Sequence, residues 1–103
     1  MKKKSNYTKV KTADELADVL GLSKEDAIEM ELRSDLNAKI IEVVKKKKFT
    51  HATVAKLAQT SRSRVTALLN GNTHNVSTSL MIRILAALGV RVRLSYIPIK
   101  IAA

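Results

Sequence analysis

The sequence predicts an all-α domain of five helices closed by one C-terminal β-strand. Three observations carry that expectation. Apolar residues recur at helical spacing through most of the chain, each such run opens on a Ser or Thr suited to capping, and only residues 90–97 alternate as a strand does. With 103 residues, 46% of them hydrophobic, the chain suits a single domain with a core. Tyr7, Phe49 and Tyr96 are its only aromatics, so that core must be aliphatic.

Thr12 and Glu15 have the capping-box spacing and open a short helix that Gly21 stops after Leu20. Ser23 with Asp26 starts a longer one, whose apolar positions Ala27, Met30, Leu36, Ile40, Val43 and Val44 share a face. Its acids lie opposite, with Asp35 and Lys39 in the favourable order for a surface pair. Lys45, Lys46, Lys47 and Lys48 close this helix, where cations suit the negative end of the dipole. Thr50 caps a helix running to Ala58, and Ser61 caps another from Arg62 to Leu69, ended by Asn70-Gly71. Beyond the NTHNVS loop, Ser77 begins a nearly all-apolar helix that ends at Gly89 and belongs at the centre of the core. In VRVRLSYI, Val90, Val92, Leu94 and Tyr96 then alternate with Arg91, Arg93, Ser95 and Ile97. A single strand has no ladder of its own, so these four residues are expected to pair with a second copy in a two-fold homodimer. Pro98 ends the strand, which divides the chain into a flexible basic arm (1–12), a folded domain (13–97) and a tail (98–103).

The formal charge is +10, and its distribution says more than its sum. Residues 1–12 carry five lysines and no acid, whereas residues 13–42 hold all nine carboxylates against Lys24, Arg33 and Lys39. Residues 43–103 contain eleven Lys and Arg and no Asp or Glu at all. A segment that cannot neutralise its own field favours a polyanionic partner. The absence of cysteine excludes disulfides, thiolate zinc sites and cysteine nucleophiles. His51 and His74 stand far apart with no acid nearby, so no enzyme, metal site or cofactor is expected. No stretch approaches about 18 apolar residues and no signal peptide is evident, which points to a cytoplasmic protein without a membrane segment.

Two short helices joined by a three-residue turn, within a basic helical chain, form the pattern of a helix-turn-helix. Ala55 is the small residue where the helices cross, and Val54, Ala58, Val65 and Leu68 fill their interface at helical spacing. The other face of the second helix carries Arg62, Ser63, Thr66, Ala67 and Asn70, with Arg64 toward its flank. Slender polar side chains, long donors at the edge and no carboxylate are what a helix needs to enter the DNA major groove. A helical hairpin with no ligand explains the apolar residues equally well, though not the missing acids.

The segment FTHATVAKLAQTSRSRVTALLNG resembles the XRE-type, or phage-repressor-type, helix-turn-helix, with Phe49, Thr50, Val54, Ala55, Ser61, Val65, Leu69, Asn70 and Gly71 at matching positions. The long preceding helix and the strand that follows are similar to those of HigA-type antitoxins, small repressors that act beside RelE- or HigB-like toxins. The resemblance covers roughly residues 16–96. It implies that Arg62, Ser63, Thr66 and Ala67 read bases, Arg62 reaching guanine with about 1–3 kcal/mol of discrimination. It further implies that Thr50, His51, Ser61, Arg64, Asn70, Asn72 and Thr73 meet the DNA backbone, partly through helix N-termini. Three residues depart from the family's pattern: His51 replaces a common Gln, Gln59 stands where Gly turns the chain, and Thr60 replaces an aliphatic residue.

The expected function is therefore a sequence-specific repressor of transcription, binding double-stranded DNA as a homodimer on a palindromic operator. A toxin partner facing the acidic segment 13–42 is a second expectation. The alternatives are a regulator without a toxin and an RNA-binding module, the latter lacking aromatics to stack on bases.

Overall fold

The computed structural model describes residues 23–100. Among them lie four helices: α1 (Lys24–Lys47), α2 (His51–Ala58), α3 (Arg62–Leu69) and α4 (Thr78–Ala87). The expected arm over 1–12, the expected first helix over 12–20 and the end of the tail lie outside the described residues.

Every described helix starts where a capping hydroxyl predicts. Ser23 accepts from the Asp26 backbone N–H at 3.0 Å and Thr50 from that of Thr53 at 3.1 Å. Ser61 does the same for Arg64 at 3.2 Å and Ser77 for Leu80 at 3.0 Å. Each bond satisfies one of the donors that a helix start leaves without an intrahelical partner. Past the end of α3, Gly71 turns the chain at φ 83°, and the Asn72 N–H returns to the Ala67 carbonyl at 2.8 Å. The end of α2 has the same architecture with a side chain in the way. Gln59 adopts φ 56° and the Thr60 N–H reaches the Ala55 carbonyl at 2.9 Å. The turn is kept, and a non-glycine residue bears its left-handed conformation.

The core is one aliphatic cluster drawn from all four helices. Leu36, Ile40, Val43 and Val44 of α1 meet Val54, Ala55 and Ala58 of α2, Val65 and Leu68 of α3, and Met81, Ile84 and Leu85 of α4. Val76 and Leu88 complete it, with Phe49, Leu69 and Leu80 packed at its margin. As anticipated, α4 is the central element, Met81 and Ile84 being wholly buried. The C-terminal end of α4 is held by α1, because the Lys47 ammonium donates to the Leu88 carbonyl at 3.3 Å. One member of the lysine run is thus a tertiary contact as well as a helix end. On the surface of α1, Lys39 pairs with Glu42 at 3.5 Å rather than with Asp35.

The strand expected over 90–97 is not formed among the described residues. Val90 and Val92 pack against the core, whereas Leu94 and Tyr96, next on the same alternation, are 64% and 88% exposed. The physical reason is that a helix closes its hydrogen bonds within one segment, while a strand needs another strand beside it.

Candidate nucleic-acid interface

α3 is attached to the domain through Val65 and Leu68, which are 1% and 0% exposed. At about 100° per residue, this attachment turns Arg62, Ser63, Thr66, Ala67 and Asn70 to the opposite side. Arg62, Ser63, Arg64 and Asn70 are exposed, and Thr66 and Ala67 half-buried. The sequence-predicted face therefore exists as one continuous surface, and nothing on it is negative.

His51, the first residue of α2, shares a hydrogen bond of 2.8 Å between its Nδ1 and the Thr66 Oγ1. That bond ties the N-terminus of α2 to one edge of α3 and leaves the other ring nitrogen facing away from it. His51 also borders a shallow depression of about 290 Å³ with Lys45, Lys48 and Phe49. Two members of the lysine run thus stand beside the start of α2, as their place just before Thr50 in the sequence requires.

Arg64 lies about 160° around the helix from Thr66, on the other edge of α3. There it lines an open cleft of about 330 Å³ with Gln59, Thr60, Asn75, Ser77, Leu80 and Arg83. Arg83 and Asn75 were not singled out by sequence, since only the packing of α4 brings them to α3. The cleft also contains the N-terminal end of α4, whose dipole adds to the two guanidiniums. Both edges of α3 are consequently cationic.

Several hydroxyls and amides at this surface serve local structure. The Thr50 Oγ1 donates to the Thr53 Oγ1 at 2.8 Å in addition to its capping bond. Ser61 combines its cap with a 3.3 Å contact to the Ser63 hydroxyl. The Asn72 Oδ1 accepts from the His74 N–H at 3.0 Å, closing a tight turn in the 70–77 loop. Thr73 lies half-buried in the same loop. Thr50, His51, Ser61 and Arg64 thus sit at the two helix starts, while Asn70, Asn72 and Thr73 follow the C-terminal end of α3.

Among the described residues no group of three or more His, Asp or Glu side chains is arranged to hold a metal ion. No described helix is long and apolar enough to cross a membrane.

A family model described as a helix-turn-helix domain matches residues 17–97, well over half the chain. No curated protein and no solved structure matches it.

Proposed function

Because the chain belongs to the helix-turn-helix domain family, we propose that it is a sequence-specific DNA-binding repressor of transcription, of the XRE type, acting as a homodimer. The observation that carries this reading is the carboxylate-free face of α3 with a cationic edge on each side. A helix lying in the major groove has bases in front of it and a phosphate backbone along each flank. Arg62, Ser63, Thr66 and Ala67 face the bases. Lys45, Lys48 and His51 meet one backbone, and Arg64, Arg83, Asn70, Asn72 and Thr73 the other, with Thr50 and Ser61 holding the helix starts that aim at it.

The homodimer rests on the alternation of residues 90–97. Val90 and Val92 hold the start of the segment on the core, so Leu94 and Tyr96 project beyond it. A second copy supplies the missing ladder and covers both side chains. Two α3 helices then lie about 34 Å apart and read half-sites one helical turn apart.

Selection of bound duplexes from a random pool tests the reading directly: it should enrich a palindrome. Replacing Arg62 and Ser63 together by Ala should abolish that preference and leave salt-dependent binding to unrelated duplexes. A double variant that still selects the same palindrome would show that bases are read elsewhere.

A second role, as the antitoxin of a RelE- or HigB-like toxin, is supported by the first half of α1. Glu25, Asp26, Glu29, Glu31 and Asp35 there accompany Ile28, Met30 and Leu32, each more than 40% exposed among the described residues. An acidic surface with an apolar seam suits a basic protein partner. Co-expression with the product of a neighbouring toxin-sized gene should yield a stable complex, and a regulator that works alone should yield none.

A further inference from the structure

Arg33 is half-buried and in register with the buried stripe of α1, three residues before Leu36 and seven before Ile40. Its guanidinium reaches the segment that joins α3 to α4. The Nη1 donates to the Thr78 Oγ1 at 2.9 Å, and the Nη2 donates to the carbonyls of Thr73, at 2.6 Å, and Val76. The same Thr73 carbonyl accepts the Val76 N–H at 3.1 Å, so one fork grips a complete turn and the first residue of the following helix.

That turn belongs to the loop bearing Asn70, Asn72 and Thr73, and its neighbour Asn75 stands in the cleft with Arg64 and Arg83. Residues 70–77 have no helix or sheet ladder to fix them, and Val76 is the one loop residue buried in the core. Among the described residues, the other restraints that bear on them are the short-range turn bonds and the Arg33 fork.

We propose that Arg33 is a positioning residue for DNA binding: from α1, it sets the loop that meets the second phosphate backbone. This rests on the DNA-binding reading above. A planar guanidinium can hold three acceptors at fixed angles, whereas an ammonium is a single point donor on a flexible stem. Arg33→Lys therefore keeps the charge and loses the geometry. Thr78→Val removes one of the three bonds and leaves the arginine in place.

The test uses the full-length chain, a duplex selected from a random pool, and a scrambled duplex of equal length, with affinities measured over a series of KCl concentrations. Arg33→Lys should weaken binding to both duplexes by the same factor at every KCl concentration and leave the slope of log K against log [KCl] unchanged, because Asn70, Asn72 and Thr73 are neutral and only Lys or Arg contacts to phosphate release counterions. Thr78→Val should weaken both by a smaller factor. Selectivity between the two duplexes should not change. A folded Arg33→Lys protein with wild-type affinity overturns the proposal, as does one with an altered slope or lost selectivity. Should Arg33→Lys fail to fold, Thr78→Val with wild-type affinity overturns it. Wild-type protein without salt-dependent duplex binding would instead remove the DNA-binding reading itself.

Discussion

Residues 49–71 and residues 90–97 are the two most sharply patterned stretches of the chain, and they reach opposite outcomes. The first becomes two capped helices with Val54, Val65 and Leu68 almost wholly buried. The second, alternating as regularly, leaves Tyr96 the most exposed of the large hydrophobics. The difference is the range over which each pattern must find its partners. A helix bonds to itself four residues away, and α2 and α3 bury their stripes against each other and against α1 and α4. A strand satisfies neither need alone. Equal periodicity therefore yields packed structure in the first case and an exposed, irregular segment in the second.

The sharpest way to break this comparison is to shorten one leucine in each region. Leu68→Ala should cost about 2–5 kcal/mol of stability, because it empties a fully buried site. Leu94→Ala should stay within about 0.5 kcal/mol in dilute protein, being largely exposed there. Urea unfolding of both variants at low concentration checks the pair. Equal losses would mean that residues 90–97 are already part of the monomer's core.

The proposed strand pairing is tested by Leu94→Pro, which bars a ladder without touching the four helices. Sedimentation should change from a two-chain mass to the 11.3 kDa of one chain, with helical content preserved. A dimer that survives this substitution is not built by residues 90–97.

Two smaller effects refine the other side, where the helix-turn-helix is itself imperfect. Gln59→Gly should raise stability by about 1 kcal/mol in thermal or urea melts, since it relieves a left-handed side chain and returns part of the gain as backbone entropy. Thr60→Val should add up to about 1 kcal/mol, because the Thr60 Oγ1 is buried and has no hydrogen-bond partner among the described residues. A loss of stability in the first variant would overturn the strain assigned to Gln59, and in the second the unmet hydroxyl assigned to Thr60.

What was legible in advance divides along the same line. The four caps at Ser23, Thr50, Ser61 and Ser77 could be read because each bond spans three residues. The exposed polar face of α3 could be read because one helical period separates it from Val65 and Leu68. Arg33 could not, since its acceptors lie 40 or more residues away. One sign was present, a cation in register with Leu36 and Ile40, but the sign does not name the partner. The same holds for Lys47 with Leu88 and for His51 with Thr66, where two residues assigned separate tasks prove to be joined. Arg83 was invisible because it belongs to α4, whose sequence announces only a core helix.

The amino-acid sequence by itself determined the helix starts, the aliphatic core, the helix-turn-helix and the acid-free half of the chain. These depend on local bonding and on the sign of charge, which neighbours three or four residues apart settle between them. Tertiary structure alone decided that α3 carries a cationic edge on each side, that an arginine from the acidic helix grips the loop beyond α3, and that residues 94–97 lie outside the core. Each of these follows from how four helices pack around one another, and the side chains that meet there come from positions with no periodic relation along the chain.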